Sequence, residues 1–239
     1  MTRGMAVAGA MTLGLIAGAA PAAAGQQVYT YSVVHPIYGE IGTFTDTIDR
    51  SGEGMRIESR LRVAVKLLGV VAYREESDAT EVLHGNRLVS LHSVTNKDGR
   101  HLEVHGEAQG DQFMVDCTLG SFSGPGSVSP SDPWLLKRVG DEVVVSTSTG
   151  RIVHVQVSGG DYDVVAVNGT TVSARHYLVE GDKRQEVWLD SREVPIMFRT
   201  IEDGTAIDFV LQSGKPDSST TTVAALRRSV TARPENGDK

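Results

Sequence analysis

Several common features are missing from this sequence. Cys117 is its only cysteine, which excludes an intramolecular disulfide. Basic residues are not in excess, since 30 acidic residues against 23 Lys and Arg give a net charge of −7. A nucleic-acid-binding protein would favour a basic face, so we expect no nucleic-acid partner. Beyond the N-terminal segment no apolar run suggests a membrane span.

The common catalytic motifs are absent as well. The segment 120–124 comes near a G-x-S-x-G elbow, but Phe122 occupies the nucleophile position. There is no P-loop, no G-x-G-x-x-G after a strand, no H-E-x-x-H and no C-x-x-C. The sequence therefore predicts no cofactor and no catalytic residue, and it favours a non-enzymatic protein.

The N-terminus carries the pattern of a secretory signal. Arg3 precedes an apolar run from Gly4 to Ala20, and the small residues of 22–24 follow. This order predicts a signal peptide over residues 1–24, cleaved after Ala24. A membrane anchor is less well supported because the run is short and rich in Gly and Ala. We therefore expect a secreted protein, located in the periplasm of a bacterium.

The remainder divides into a β domain over residues 25–212 and a polar tail over 213–239, which we expect to be disordered. The clearest strand signal is the alternation of apolar and charged residues from Met55 to Val65. Asn96–Gly99 and Asn168–Gly169 are typical hairpin turns. These patterns predict an all-β fold, an antiparallel meander of about a dozen strands curled into a barrel or half-barrel, with one short helix.

The middle of the chain departs from the strand pattern. Residues 118–132 are rich in Gly, Ser and Pro, which predicts a loop that could act as a lid. Asp132 then has the position of a helix N-cap, with Pro133 as the first helical residue and Leu136 near the end. With so few helices to cover them, the strands must bury their apolar faces against one another, around either a cavity or a filled core.

One polar cluster is a candidate metal site. His101, Glu103 and His105 share one face of a strand, and the hairpin register decides whether His92 lies across from them. His and Glu side chains on two strands can bind a transition metal. The alternation with Leu102 and Val104 is fully explained by a solvated outer face of a sheet. We favour the solvated face and expect no bound metal, with His92, Glu103 and His105 as the weak candidates.

For an apolar or lipid-like ligand, aromatic and apolar residues near the expected cavity are the candidates. We name Tyr31, Tyr73, Trp134 and Leu135 as ligand-binding residues. Strand-rich cores also use aromatic residues, so this interpretation depends on the cavity being present. The sequence predicts neither a protein partner nor an oligomeric state.

The order of several segments resembles a family of exported bacterial proteins known only as a domain of unknown function. The segments are Tyr31–Val33, Gly39–Gly42, Gly69–Arg74, Gly85–Leu91, Thr95–Gly99, Thr149–Arg151 and Ala174–Leu178. The likeness covers nearly all of the mature domain, although Val82-Leu83 stands where the family commonly has a Trp. More distantly, the chain is similar to curled-sheet periplasmic lipoprotein carriers, which hold acyl chains in a half-barrel. The resemblance implies a β-rich exported fold and transfers no catalytic residue.

Taken as a whole, the sequence predicts an exported, non-enzymatic envelope protein that binds an apolar or amphipathic ligand inside a curled sheet. Two alternatives stay open. One is a structural or protein-interaction module with a filled barrel, and the other is an enzyme with a non-standard site on the His92, Glu103 and His105 face. A large apolar cavity favours the first interpretation, and a close-packed interior favours the second.

Overall fold

A computed structural model describes residues 26–135, 139–202 and 204–213. Fifteen strands form one sheet, and no helix occurs in these residues. None of the described segments is therefore a helix that could cross a membrane. The strands are β1 (Gln27–His35), β2 (Gly39–Ser51), β3 (Gly54–Leu67), β4 (Val70–His84), β5 (Arg87–Lys97), β6 (Arg100–Gln109), β7 (Gln112–Cys117), β8 (Gly120–Pro125), β9 (Ser129–Pro130), β10 (Gly140–Val145), β11 (Ile152–Val167), β12 (Thr170–Glu180), β13 (Arg184–Leu189), β14 (Pro195–Glu202) and β15 (Thr205–Ser213).

The expected all-β class and antiparallel meander are confirmed, with fifteen strands rather than about a dozen. Every neighbouring pair is antiparallel except β9 and β10, which pair in parallel. The order runs β8-β7-β6-β5-β4-β3-β2-β1-β15-β14-β13-β12-β11-β10-β9, so β8 and β9 are its two edges. The sheet is thus an open one that curls, and not a closed barrel.

The predicted strand from Met55 to Val65 lies within β3. As expected, its apolar residues lie on one face of the sheet and its charged residues on the other. Ile57, Val63 and Val65 are buried, whereas Arg56 and Glu58 are exposed. The predicted hairpins also form. At Asp98–Gly99 and Asn168–Gly169 both residues have positive φ, which the favoured two-residue turn requires.

The expected helix after Asp132 is absent from the described residues. The Asp132 carboxylate does accept a hydrogen bond from the Trp134 N–H (2.8 Å), as an N-cap would. A second bond, from the Leu135 N–H to the Asp132 carbonyl (3.1 Å), closes a single turn. The described chain therefore shows a turn at this position, and residues 136–138 lie outside the described residues.

The structure also differs from the prediction of a loop at 118–132. This segment contains β8, which pairs along its whole length with β7, and the short strand β9 beside β10. The small residues have a packing role here, because the Gly124 backbone lies so close to Ile152 that a Cβ would meet that side chain at 3.0 Å. This segment therefore forms the two edge strands of the sheet, β8 and β9.

Contacts between distant strands hold the curl. The Trp134 indole N–H donates to Asp46 on β2 (2.9 Å), and the Ser93 hydroxyl on β5 donates to the Thr147 carbonyl. In the middle of the sheet, the Tyr31 hydroxyl on β1 donates to the Pro195 carbonyl on β14 (2.9 Å), across the strand β15 that lies between them. The half of the sheet from β1 to β8 therefore faces the half from β9 to β15. The predicted signal peptide (1–24) and most of the polar tail (213–239) lie outside the described residues.

Candidate functional site

A cavity of about 560 Å³ lies between the two halves of the curled sheet. This volume is within the range of small-molecule pockets. One wall comes from β2, β3 and β4, and the other comes from β10 to β15 with their connections. The curl itself therefore produces the cavity, because the facing halves do not fill the space between them.

Three phenylalanines form the aromatic part of the cavity wall. The Phe198 and Phe209 rings are stacked with their centroids 4.3 Å apart, and Phe44 meets each of them edge-on at 5.6 Å. Aliphatic side chains extend this apolar surface on both walls: Leu61, Val144, Val153, Val155, Val179 and Val187. The surface is typical of a site for the apolar part of a ligand.

Polar groups interrupt this apolar surface in the form of a buried acidic cluster, which we define as Asp46, Glu81 and Asp132. Glu81 and Asp132 line the cavity and are 1% and 5% exposed. Asp46 lies behind them, where its two oxygens accept from the Ser59 hydroxyl (2.6 Å) and the Trp134 indole N–H (2.9 Å). One carboxyl oxygen of Glu81, Oε2, is buried without a hydrogen-bond partner.

The strand register explains how the sequence brings these acids together. Asp46 pairs with Ser59, Ser59 pairs with Ala79, and Glu81 follows two positions later on the same face of β4. Asp132 arrives from the opposite half of the sheet, in the turn after β9. The cluster therefore joins both halves of the curl at the cavity.

Burial dominates the electrostatics of the acidic cluster. It raises the pKa of the Asp46 carboxyl to about 7, although the two hydrogen bonds to Asp46 favour its ionised form. Burial likewise raises the pKa values of Glu81 and Asp132 well above their usual range, and repulsion from the neighbouring carboxylates adds to both shifts. No described Lys or Arg forms an ion pair with any of the three. The cluster thus holds protons at a pH at which ordinary carboxyls have lost them.

The four aromatic and apolar candidates from the sequence lie beside the cavity and are not among the residues that line it. Trp134 is buried against Tyr29 at 4.6 Å between ring centroids, and Leu135 packs half-buried against the core. Tyr31 is fully buried and supports the cavity wall from behind, because its ring contacts Phe198 at 5.3 Å. Tyr73 donates a hydrogen bond to Glu75, which does line the cavity.

The structure brings His92, Glu103 and His105 together on the outer face of the sheet, away from the cavity. His92 on β5 pairs directly with His105 on β6, and the two Nδ1 atoms lie 3.1 Å apart. The His105 Nε2 lies 2.9 Å from a Glu103 carboxylate oxygen. One nitrogen or oxygen from each residue lies within 4.8 Å of the others. His101 does not join them and is near Asn96 instead (3.2 Å).

This outer cluster has part of the geometry of a metal site. Two imidazole ligands of a tetrahedral zinc ion lie about 3.3 Å apart, close to the observed Nδ1 separation. In this arrangement Glu103 contacts the other nitrogen of His105 and orients its ring, so that it is not itself a ligand. Two protein ligands on an exposed surface fall short of the three or four of resident zinc sites.

Sequence reasoning missed the acidic cluster, although a signal for it was present. Asp46 stands between Phe44 and Ile48 on the inward phase of β2, and Glu81 stands between Ala79 and Leu83 on β4. An acidic residue in the apolar phase of an alternating strand predicts a buried carboxyl. Asp132 carried no such signal, since it was interpreted as a helix cap.

Comparison with known proteins shows one family and a similar fold. A family model described as "Domain of unknown function (DUF6134)" matches residues 39–212. No curated protein matches the chain. Among solved structures, the chain is similar to the "Beta-barrel-like Protein of Domain of Unknown Function DUF1849 from Brucella abortus", with a TM-score of 0.58 and 12% sequence identity. The alignment covers 79% of this chain and 96% of that one, and at this identity it shows the fold alone.

Proposed function

Because the chain belongs to the DUF6134 family, whose description names no activity, we propose a function from the cavity. We propose that the protein is a non-enzymatic, exported protein of the bacterial envelope that binds an apolar or amphipathic small molecule between the two halves of its sheet. The observation that carries this proposal is the cavity of about 560 Å³ with a wall of aromatic and aliphatic side chains.

The cavity also distinguishes this proposal from the two alternatives, a structural module and an enzyme. A structural module with a filled barrel would have its side chains meeting in the middle, as in small closed barrels. A site on the His92, Glu103 and His105 face would be on the outer surface, where the His105 and Glu103 side chains are 59% and 45% exposed to water. The cavity therefore supports ligand binding better than either alternative.

Ligand binding is tested by titrating the purified, delipidated protein with Nile red, a neutral fluorophore whose emission rises in apolar surroundings. We expect saturable binding at one site per chain. Native mass spectrometry of protein purified from its own envelope should in addition show a co-purifying small molecule.

A pair of matched variants locates the probe. Ala79→Phe fills the cavity from the β4 wall, and Ala64→Phe adds the same ring to the exposed face of β3. Ala79→Phe should weaken Nile red binding about tenfold or more, because the probe and the ring compete for the same volume. Ala64→Phe should leave it unchanged. No saturable binding by the folded wild type, or equal effects of both variants, would contradict the proposal.

A further inference from the structure

The acidic cluster is an unusual feature for a cavity with an apolar wall. Glu81 and Asp132 are more than nine-tenths buried, and no described Lys or Arg pairs with them or with Asp46. The Glu81 Oε2 has no hydrogen-bond partner. A buried polar atom without a partner costs stability, and a buried charge without one costs more. Because Glu81 also lines the cavity, a polar group of a bound ligand is able to complete these hydrogen bonds.

We propose, on the premise of the ligand-binding function above, that the ligand is an amphiphile with a protonated amine as its head group, and that Glu81 and Asp132 receive this amine. The apolar wall around Phe44, Phe198 and Phe209 then holds the tail.

An ammonium group fits the cluster better than other head groups for two reasons. It donates three hydrogen bonds and accepts none, whereas ionised carboxylates only accept. Its positive charge also offsets the repulsion that arises as the carboxyls of the cluster ionise, which a neutral hydroxyl cannot do. A carboxylate head group would add a fourth negative charge and is therefore disfavoured at this end of the cavity.

The cavity is also lined by other charged groups, which provide a second position where the head group of a ligand could bind. Arg151 and Lys183 lie in the connections after β10 and β12 and are exposed, and Lys183 pairs with Glu202 at 3.1 Å. Glu75 is half-buried beside Lys97 at 3.7 Å, and Asp182 is exposed. An anionic amphiphile would place its head at Arg151 and Lys183, so comparing head groups of opposite charge tests the orientation.

Binding of an amine is linked to proton release. Because the cluster holds protons near neutral pH, an ammonium group that pairs with it must displace at least part of a proton. The affinity for an alkylammonium should therefore rise between pH 5.5 and pH 8. Titration calorimetry in buffers of different ionisation enthalpy measures this proton release directly.

The experiment compares octylamine, octan-1-ol and octanoate, which share one tail and differ in the head group. Each is titrated into the full chain at pH 5.5 and pH 8. We expect octylammonium to bind at least about tenfold more tightly than octan-1-ol at pH 8, with protons released only by the amine. Octanoate should bind more weakly than the alcohol.

Two isosteric variants test which residues receive the amine. Glu81→Gln and Asp132→Asn remove a charge and keep the side-chain shape, and circular dichroism checks that both are folded. Each should abolish most of the preference for the amine and leave octan-1-ol binding within about threefold. The matched control is Glu58→Gln, an exposed residue of β3 that pairs with Arg56 and should change nothing.

The outcomes separate this inference from the function on which it rests. Binding of all three probes with equal affinity, or an amine preference that survives both variants, would overturn the amine proposal and leave ligand binding intact. Tighter binding of octanoate would also overturn it, since it places the head group at Arg151 and Lys183. Failure of every probe and of Nile red would overturn the proposed function itself.

Discussion

The Asp46 carboxyl combines two hydrogen bonds with full burial, and burial has the larger effect on its titration. The bonds from Ser59 and Trp134 favour the ionised form, yet the pKa is raised to about 7. In the unfolded chain this carboxyl titrates near its ordinary value of 3.8. The folded protein therefore retains a proton that the unfolded chain has already released.

This difference predicts how stability depends on pH. Since the folded pKa is raised, the contribution of Asp46 is fully present below about pH 4 and is lost as the pH rises through about 7. Glu81 and Asp132 act in the same direction. We expect the free energy of unfolding, measured by urea denaturation, to fall from pH 5 to pH 8.

The variant Asp46→Asn tests whether Asp46 causes this pH dependence of stability. The amide can accept from the Trp134 indole and donate to the Ser59 hydroxyl, so both contacts survive. The variant should equal wild type below about pH 4 and exceed it in stability by a margin that grows up to about pH 7. Asp141→Asn on the exposed side of β10 serves as the control and should keep the wild-type slope. An unchanged slope in Asp46→Asn would assign the pH dependence to other groups.

For the outer histidine pair we predict no resident metal. His92 and His105 supply two ligands on an exposed surface, which is too few to retain an ion through purification. Elemental analysis of purified protein should find no stoichiometric zinc, copper or iron. About one metal per chain, lost in a Glu103→Ala/His105→Ala variant and kept in His101→Ala, would contradict this prediction.

Along β3, two inward side chains of similar size meet different surroundings. Ile57 is fully buried between Ile48 on β2 and Glu81 on β4, whereas Leu61, four residues later on the same face, lines the cavity. One strand thus contributes both to the packed core and to the open space.

The two positions should therefore respond differently to truncation. Ile57→Ala should cost about 3 kcal/mol because it leaves a void in packed surroundings. Leu61→Ala should cost about 1 kcal/mol, since one side of this residue already faces a cavity. Urea unfolding measures both, with the exposed Arg60→Ala expected within about 0.5 kcal/mol of wild type. Equal losses at Ile57 and Leu61 would mean that the interior is filled around both.

The strands and turns show which elements could be predicted from sequence. Period-2 alternation identified β3, and positive-φ turns such as Asn168–Gly169 identified hairpins, because both signals are local. The segment 118–132 was misjudged because its Gly, Ser and Pro content is typical of a loop, although β8 forms a hairpin with β7, its neighbour in sequence. Gly124 has no side chain and so leaves room for Ile152 of β11, and no local sequence pattern indicates this contact between sequence-distant strands.

The candidate site was predictable only in part, for the same reason. The sequence indicated a curled sheet with an apolar interior, and alternation could have marked Asp46 and Glu81 as inward-facing. The convergence of Asp132 with them depends on how the two halves of the sheet face each other, which the strand pattern leaves open. The outer pair of His92 and His105 needed the exact register of one hairpin.

At the level of the whole protein, the export prediction concerns residues outside the described ones. If residues 1–24 are a signal peptide, N-terminal sequencing of natively secreted protein should begin near Gly25. A soluble cytoplasmic product that retains Met1 would contradict it. As a control, the same chain without residues 1–24 should accumulate in the cytoplasm.

The strand order makes the chain suitable for circular permutation. The first and last strands, β1 and β15, are neighbours in the middle of the sheet, with Thr30 opposite Ser213. The edges β8 and β9 are joined by the short stretch 126–128. If β15 were linked to β1 and the chain opened between β8 and β9, the circular permutant would run through the sheet from one edge to the other in a single pass. In the natural chain, β1 and β15 are the neighbouring strands that lie farthest apart in sequence. The permutant would join these two strands by a short connection, and the slow closure of a long loop that their pairing requires would no longer be needed.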